Sequence, residues 1–399
     1  MIKRRRKKDF GDFESLDKEK RAIRFDFILF FLALAVSSFG VLMIYSATRE
    51  TLPGGVTDPQ YYLKRQAIWL AAGIVICVAV QFINYRKIQR YWWLIFVIGI
   101  SFLAAVLLFG YEVYGSKSWV DLRFTTIQPS EFSKVFMVIS LAAVMSKWKG
   151  EKVYQVTFKK VVISSTVALI FIILVLLEPD YGTALMYFIA YLGLLFLSGA
   201  NFLYLLSILG LTAGGFFIAL KAGLIKQYQL DRILVFLKPD VSSEGAGYNL
   251  YQSKLAIGSG DFLGKGLFLG KQTNLSYVPA HHTDFIFSVI GEELGFLGAV
   301  LVLLVLGVIV WRCFYIASNS SDSFGMLLSS GIGFIILSQV VINIGMTIGL
   351  MPIIGIPLPF LSSGGSSLIS MFLGIGLVEN VYIWKEVRKD YEIAYQEFK

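Results

Sequence analysis

Uncharged apolar runs recur along the chain at lengths that fit a lipid bilayer. Residues 27–48, 66–85 and 91–111 hold no Asp, Glu, Lys or Arg over 22, 20 and 21 positions. A hydrocarbon core of about 30 Å takes about 20 residues at helical rise. A fourth helix should begin at Pro129, whose missing N–H would be unpaired in a first turn anyway, and run to about Ser146. Residues 161–177 give a fifth. Residues 181–220 are 40 uncharged positions, enough for two spans, with Ser198-Gly199-Ala200-Asn201 as the turn between them. An eighth runs from about 284 to 311. The last run, residues 323–378, has 56 positions without a charge, divided by prolines and glycines between Met351 and Gly365. The pattern predicts an all-α polytopic membrane protein with ten transmembrane helices.

Composition agrees with that class and charge orients it. Of 399 residues, 56% are hydrophobic and 16% charged, where a soluble domain carries about 25% charged. An even number of spans puts both termini on one side. With the termini inside, the inside segments hold 23 Lys and Arg and the outside segments 12, seven of these in one long loop that weighs little in orientation. Both termini are therefore expected in the cytoplasm. The long extracytoplasmic loop, about 221–283, lies between helices 7 and 8 and mixes Tyr, Phe, Leu and Gly with scattered charges. It reads as ordered structure at the membrane surface. Residues 1–24 form a basic cytoplasmic tail with 10 of the 36 basic residues, residues 25–384 the membrane domain and 385–399 a C-terminal cytoplasmic tail. The run Lys3-Arg4-Arg5-Arg6-Lys7-Lys8 suits a membrane flank better than a nucleic-acid arm. The first apolar stretch has no small-residue cleavage site and should remain uncleaved. Cys77 and Cys313 belong to apolar runs and make no disulfide framework.

Three polar constellations interrupt this apolar background. In Gln128-Pro129-Ser130-Glu131-Phe132-Ser133-Lys134 the acid and the base stand at i and i+3, so they share a helix face. A helix start explains them: Glu131 complements the dipole and Lys134 snorkels. A patch at the outer boundary that grips a charged head group is the functional alternative. In His281-His282-Thr283-Asp284 the long loop enters a helix. Asp284 suits an N-cap, but Glu292, about 12 Å further along the axis, has no such excuse. The adjacent histidines with Asp284 form a weak divalent-metal signature. In residues 351–367 three prolines break an apolar segment, which survives at membrane depth when protein buries it or when it lines a cavity. Glu178-Pro179-Asp180 and Gly115-Ser116-Lys117-Ser118-Trp119 read as ordinary turns by themselves.

Taken in order, these segments closely resemble the SEDS family (shape, elongation, division, sporulation) from about Phe25 to Trp384. The resemblance rests on Gln128-Pro129-Ser130-Glu131 with Lys134, and on Pro179-Asp180 with Gly182-Thr183. It continues with Gly247-Tyr248-Asn249 leading to Gln252-Ser253, and with Gly258-Ser259-Gly260 and Gly264-Lys265-Gly266. His282-Thr283-Asp284-Phe285-Ile286-Phe287 and the stretch from Pro357-Leu358-Pro359-Phe360 to Gly364-Gly365-Ser366-Ser367 complete it. The wording at residues 355–360 is similar to the elongation (RodA) branch more than to the division (FtsW) branch. The chain departs from the family at Ser118, where Arg is usual, at Ala280, where Pro-Glu is usual ahead of the histidine, and at Ser363, where Tyr is usual.

The resemblance implies a peptidoglycan glycosyltransferase that polymerises lipid II, a disaccharide-pentapeptide on undecaprenyl diphosphate, for cell elongation and shape. It implies that a GlcNAc 4-hydroxyl attacks the MurNAc anomeric carbon with inversion, and it assigns the general base to Asp284. Ser130, Glu131, Lys134, Trp119, His282 and Thr283 are the implied substrate contacts. Lys134, with Arg232, Lys265 and Lys271 of the long loop behind it, would offset the charge of the leaving diphosphate, as would a divalent cation such as magnesium or manganese. The implied partners are a class B penicillin-binding protein and other membrane proteins of the elongation machinery, with no nucleic acid. The implied location is the bacterial inner membrane, with the site on the extracytoplasmic side. A transporter or flippase of a lipid-linked precursor is the rival reading, since broken helices and intramembrane carboxylates fit that class as well.

Overall fold

A computed structural model describes residues 25–50, 58–113, 116–121, 125–146, 156–223, 227–237, 245–275 and 277–397. The basic tail expected over residues 1–24 lies outside them. Helices occupy most of the chain: α1 (Phe27–Thr48), α2 (Tyr61–Gln81), α3 (Tyr85–Arg90), α4 (Trp92–Phe109), α5 (Pro129–Met145), α6 (Phe158–Leu177) and α7 (Tyr181–Leu197). There follow α8 (Phe202–Lys221), α9 (Gln227–Leu237), α10 (Ala246–Ser259), α11 (Lys271–Asn274), α12 (Ile286–Ser318), α13 (Ser323–Ile348) and α14 (Gly365–Glu397). Eight of them, namely α1, α2, α4, α6, α8, α12, α13 and the first part of α14, are long and apolar enough to cross a membrane. The other two expected spans exist as helices but fall short by that measure. Both α5 and α7 have 17 residues, and α5 carries Glu131 and Lys134 inside it.

The helix starts follow local chemistry. Asp26, Asp180, Asn201 and Asp322 each accept a hydrogen bond from a first-turn N–H of the helix that they precede, relieving one of the donors that a helix leaves unpaired. The centre of the bundle is made by α5, α13 and α14. Their inward faces join α1, α2, α7 and α12 in one apolar core that includes Met137, Leu141, Ile332, Ile336, Phe372 and Ile375. α8 differs, since Leu205 is its one buried residue; Tyr204 and Ile208 pack against the core, and residues 209–218 are exposed.

Two features depart from the expectation of an all-α chain with regular spans. Between α4 and α5, strands β1 (Tyr111–Val113), β2 (Ser116–Asp121) and β3 (Thr126–Ile127) form a small antiparallel sheet in the order β1-β2-β3. Tyr111 lies opposite Trp119, and Val120 opposite Ile127. Tyr, Val, Trp and Ile suit a half-buried pleated surface, so the stretch that reads as a turn is a hairpin. The second feature is a break in α12 at Gly295, where φ is 64°. Residues 260–266 fill the break: Lys265 and Gly266 donate backbone hydrogen bonds to the carbonyls of Glu292 and Glu293, both at 3.0 Å. In return Phe296 donates to Asp261 O at 2.9 Å. The expected long loop thus contains α9, α10 and α11 and is stitched to the membrane helix that follows it.

Candidate active site

Asp284 lies two residues before α12, at the end of a tight turn in which Thr283 N and Phe285 N both donate to Ala280 O, at 3.1 and 3.2 Å. The turn is laced to the proline-rich segment between α13 and α14. Ser363 N donates to His282 O at 2.9 Å, and Ser362 Oγ donates to Thr283 O at 2.6 Å. Ser362 Oγ also accepts from Leu358 N at 2.7 Å. The Gln66 side chain spans the same strap, donating to Ser362 O and accepting from Gly364 N, both at 3.3 Å. At Leu358, Ser362, Ser363 and Gly364 the expected broken backbone therefore has polar groups paired by protein, as a dry location requires. Leu358, Phe360 and Leu361 point into the core, so that part of the segment is buried. Gly355, with φ of 76°, forms the stretch that borders Asp284. A Cβ there would sit 3.4 Å from Asp284 Oδ2.

The carboxylates around this point differ in how far their oxygens are committed. Asp180 caps α7: it accepts from Thr183 N at 3.0 Å, Thr183 Oγ1 at 2.8 Å and Gln128 Nε2 at 3.2 Å. Glu131 accepts from Lys134 Nζ at 2.5 Å and Ser370 Oγ at 3.3 Å. Glu292 accepts from Lys265 Nζ, Gln272 N, Thr273 N and Thr273 Oγ1 at 2.8 to 3.0 Å. Among the described residues none donates to the carboxylate of Asp284, which is partly exposed. Burial pushes its pKa up to about 6, with Asp180 adding to the rise and Arg232 opposing it. Burial also raises Asp180, against the pull of its Thr183 and Gln128 hydrogen bonds, and Glu131 adds to that rise. Asp284, Asp180 and Glu131 thus form a ladder in which each acid feels the next.

The site residues expected from the sequence divide into four places. Asp284, His282 and Thr283 share the turn, with Arg232 of α9 close enough to act on Asp284 electrostatically. The His282 ring packs on Tyr62 at 5.2 Å, and burial, then His281, lowers its pKa to about 4. It is neutral at pH 7. Ser130, Glu131 and Lys134 form a second place, at the start of α5. Lys134 and Glu131 are 0% and 2% exposed, so Lys134 does not snorkel to a surface but stays inside, paired to Glu131. Ser130 is held through its carbonyl, which accepts from Tyr187 Oη at 2.7 Å. Lys265 and Lys271 gather at the α12 break, where Lys265 pairs with Glu292 and Lys271 is exposed in the first turn of α11. Trp119 is partly exposed on β2. That strand reaches the Asp180 turn through Lys117 N, which donates to Glu178 O at 3.2 Å.

The histidine metal signature does not materialise. His281 is buried, and its two ring nitrogens face Val278 O and Ala47 O, each at 2.8 Å. Among the described residues no three His, Cys, Asp or Glu converge as a metal site would need. Sequence reading passed over Gln66 and Asn343. Their signal was present: carboxamides inside long uncharged runs have no lipid-facing reason to be there.

Comparison with known proteins joins this geometry to a family. A family model described as the FtsW/RodA/SpoVE cell cycle protein matches residues 26–386. A relative from Trichlorobacter lovleyi named "Probable peptidoglycan glycosyltransferase FtsW" is 35% identical over 373 residues, covering 92% of this chain and 96% of its own length. Peptidoglycan glycosyltransferase MrdB of Escherichia coli K12 is 32% identical over 365 residues, covering 92% and 95%. A solved structure described as "Structural coordination of polymerization and crosslinking by a peptidoglycan synthase complex" superposes with a TM-score of 0.74 at 27% identity, covering 91% of this chain and 99% of the other.

Proposed function

The chain belongs to the FtsW/RodA/SpoVE family, and from that membership we propose that it polymerises lipid II with Asp284 as general base. It is a peptidoglycan glycosyltransferase and an integral protein of the inner membrane. The observation that carries the finer reading is the state of Asp284. It is the acid of the ladder whose carboxylate accepts nothing from the described residues, and its pKa of about 6 leaves it ionised at pH 7 yet basic enough to take a proton. Asp180, Glu131 and Glu292 spend their lone pairs on the fold.

In the proposed reaction the GlcNAc 4-hydroxyl of one lipid II attacks the anomeric carbon of MurNAc on another molecule or on the growing strand. Asp284 takes the hydroxyl proton as the C1–O bond forms. The bond from C1 to the diphosphate oxygen breaks with its electron pair going to undecaprenyl diphosphate, and one displacement inverts the α-linkage to β. Arg232 is the cation placed to act near Asp284, and it supports the developing charge from α9. His282 and Thr283 stand beside the base, and Trp119 borders the neighbouring Asp180 turn. Ser130, Glu131 and Lys134 act from beneath, with Lys134 balancing the carboxylates of the ladder. Lys265 and Lys271 serve the diphosphate or carrier end, two turns along α12. Magnesium or manganese belongs in this proposal as a companion of the diphosphate, because no donor set among the described residues suits a resident ion.

The proposed orientation keeps both termini in the cytoplasm across ten crossings, with the site on the extracytoplasmic side. The relation to a complex described by polymerisation and crosslinking supports a class B penicillin-binding protein as partner. The Gly355-Ile356-Pro357-Leu358-Pro359-Phe360 stretch supports the elongation role. The test is a gel assay for glycan strands made from lipid II by the purified chain, with and without added divalent ion. Product formation is expected. Movement of lipid II across vesicles with no glycan product would favour the flippase instead.

A further inference from the structure

Asn343 is wholly buried in α13, within the 56-residue stretch that carries no charge. A buried carboxamide costs free energy unless both its ends are bonded, and here one end is. Its Nδ2 donates to the main-chain oxygen of Asp284 at 2.8 Å and to that of Ile356 at 2.7 Å. Its Oδ1 has no partner among the described residues. Turning the amide over would set its oxygen against two carbonyl oxygens, so the donor end is fixed by chemistry. Helix packing does not call for this arrangement, since α13 gains nothing from a buried amide there; a leucine in its place would leave the Asp284 and Ile356 carbonyl oxygens without this donor. What the two bonds accomplish is a crosslink. They tie the carbonyl of Asp284 itself to the residue that follows Gly355, and Gly355 is the wall against which Asp284 Oδ2 lies. One amide thus sets the distance between the carboxylate and the surface that aims it.

We infer that Asn343 is a positioning residue for polymerisation. It touches neither the sugars nor the transferred proton, and it acts by holding the Asp284 turn and the Gly355 strap in register. The inference rests on the reading of Asp284 as general base. Misplacing a catalytic group by about 1 Å can cost about 10²-fold in rate, and loss of both bonds removes the tie between two backbone segments that are otherwise joined at Thr283, at His282 and through the small apolar cluster that holds Phe285 and Ile353.

The experiment compares full-length Asn343→Leu, Asp284→Asn and the double variant in lipid II polymerisation, with thermal unfolding of each. Asn343→Leu should fold and lose about 10²-fold in kcat, with KM within a few-fold. Adding it to Asp284→Asn should cost less than about threefold more, because a base that cannot accept a proton loses nothing by being moved. Asn343→Ser keeps one donor hydrogen and should fall between parent and Asn343→Leu; it also serves if the leucine variant does not fold. Asn343→Leu and Asn343→Ser with kcat within twofold of the parent would overturn the inference while Asp284→Asn stays inactive. Losses that multiply fully in the double variant would overturn it as well. Parental polymerisation by Asp284→Asn would sink the base assignment, and this inference with it.

Discussion

Replacing Lys134 by Met would strand the Glu131 carboxylate where no water reaches. The two side chains are 0% and 2% exposed and 2.5 Å apart, and the other described donor to Glu131 is Ser370 Oγ at 3.3 Å. Removing one partner of a buried pair leaves an uncompensated charge and costs about 3–5 kcal/mol. Adding Glu131→Gln removes both charges and should recover most of the loss. The assay is thermal unfolding in detergent at pH 7 for the parent, the single and the double variant. A Lys134→Met protein as stable as the parent, or a double variant no more stable than the single one, would refute the argument. Polymerisation by the stable double variant then reads the pair's proposed part in substrate handling, where a loss is expected.

Polymerisation should rise with pH through about 6 and level off above it, since Asp284 must be ionised to act and its pKa is raised to about 6; a flat rate between pH 5 and 8 contradicts this. Gly355→Ala should lose about 1–2 kcal/mol of stability, the cost of a left-handed alanine, because φ is 76° there. It should also slow turnover about tenfold by setting a methyl group against Asp284 Oδ2; unchanged stability and turnover count against the role of Gly355. A cysteine at Tyr251, which is exposed on α10, should react with an impermeant thiol reagent added outside intact cells, whereas the native Cys77 and Cys313 are buried. Labelling only after permeabilisation would reverse the proposed orientation.

The spans were legible because charge is so costly in hydrocarbon that its absence marks them. Residues 27–48 and helix α1 coincide for that reason. The hairpin at residues 111–127 was not, since strand pairing depends on partners that a window of sequence does not show. The break in α12 was hidden too. Gly295 reads as a tolerated helical glycine until residues 260–266 are seen to occupy its backbone. At the site, Asp284, Glu131 and Lys134 were legible as carboxylates and a cation inside apolar surroundings. The different duties of these groups were not, because commitment of lone pairs is a matter of contacts. Asp180 looked like part of a turn and is a bonded helix cap near Asp284. Lys265 reads in the sequence as a loop cation, and its pairing to Glu292 at 2.8 Å shows only in the structure. Asn343 carried no charge to draw attention, and its importance lies in two carbonyls far from it in sequence.

The most direct test of the account is lipid II polymerisation by Asp284→Asn. Asparagine keeps the size of the side chain and breaks no hydrogen bond to it among the described residues, but it cannot accept the hydroxyl proton. A general base is worth about 10²–10⁴-fold, so glycan synthesis should fall to near background while lipid II binding stays within a few-fold and the protein unfolds at the parental temperature. Near-parental glycan synthesis by the folded Asp284→Asn protein would contradict the general-base assignment.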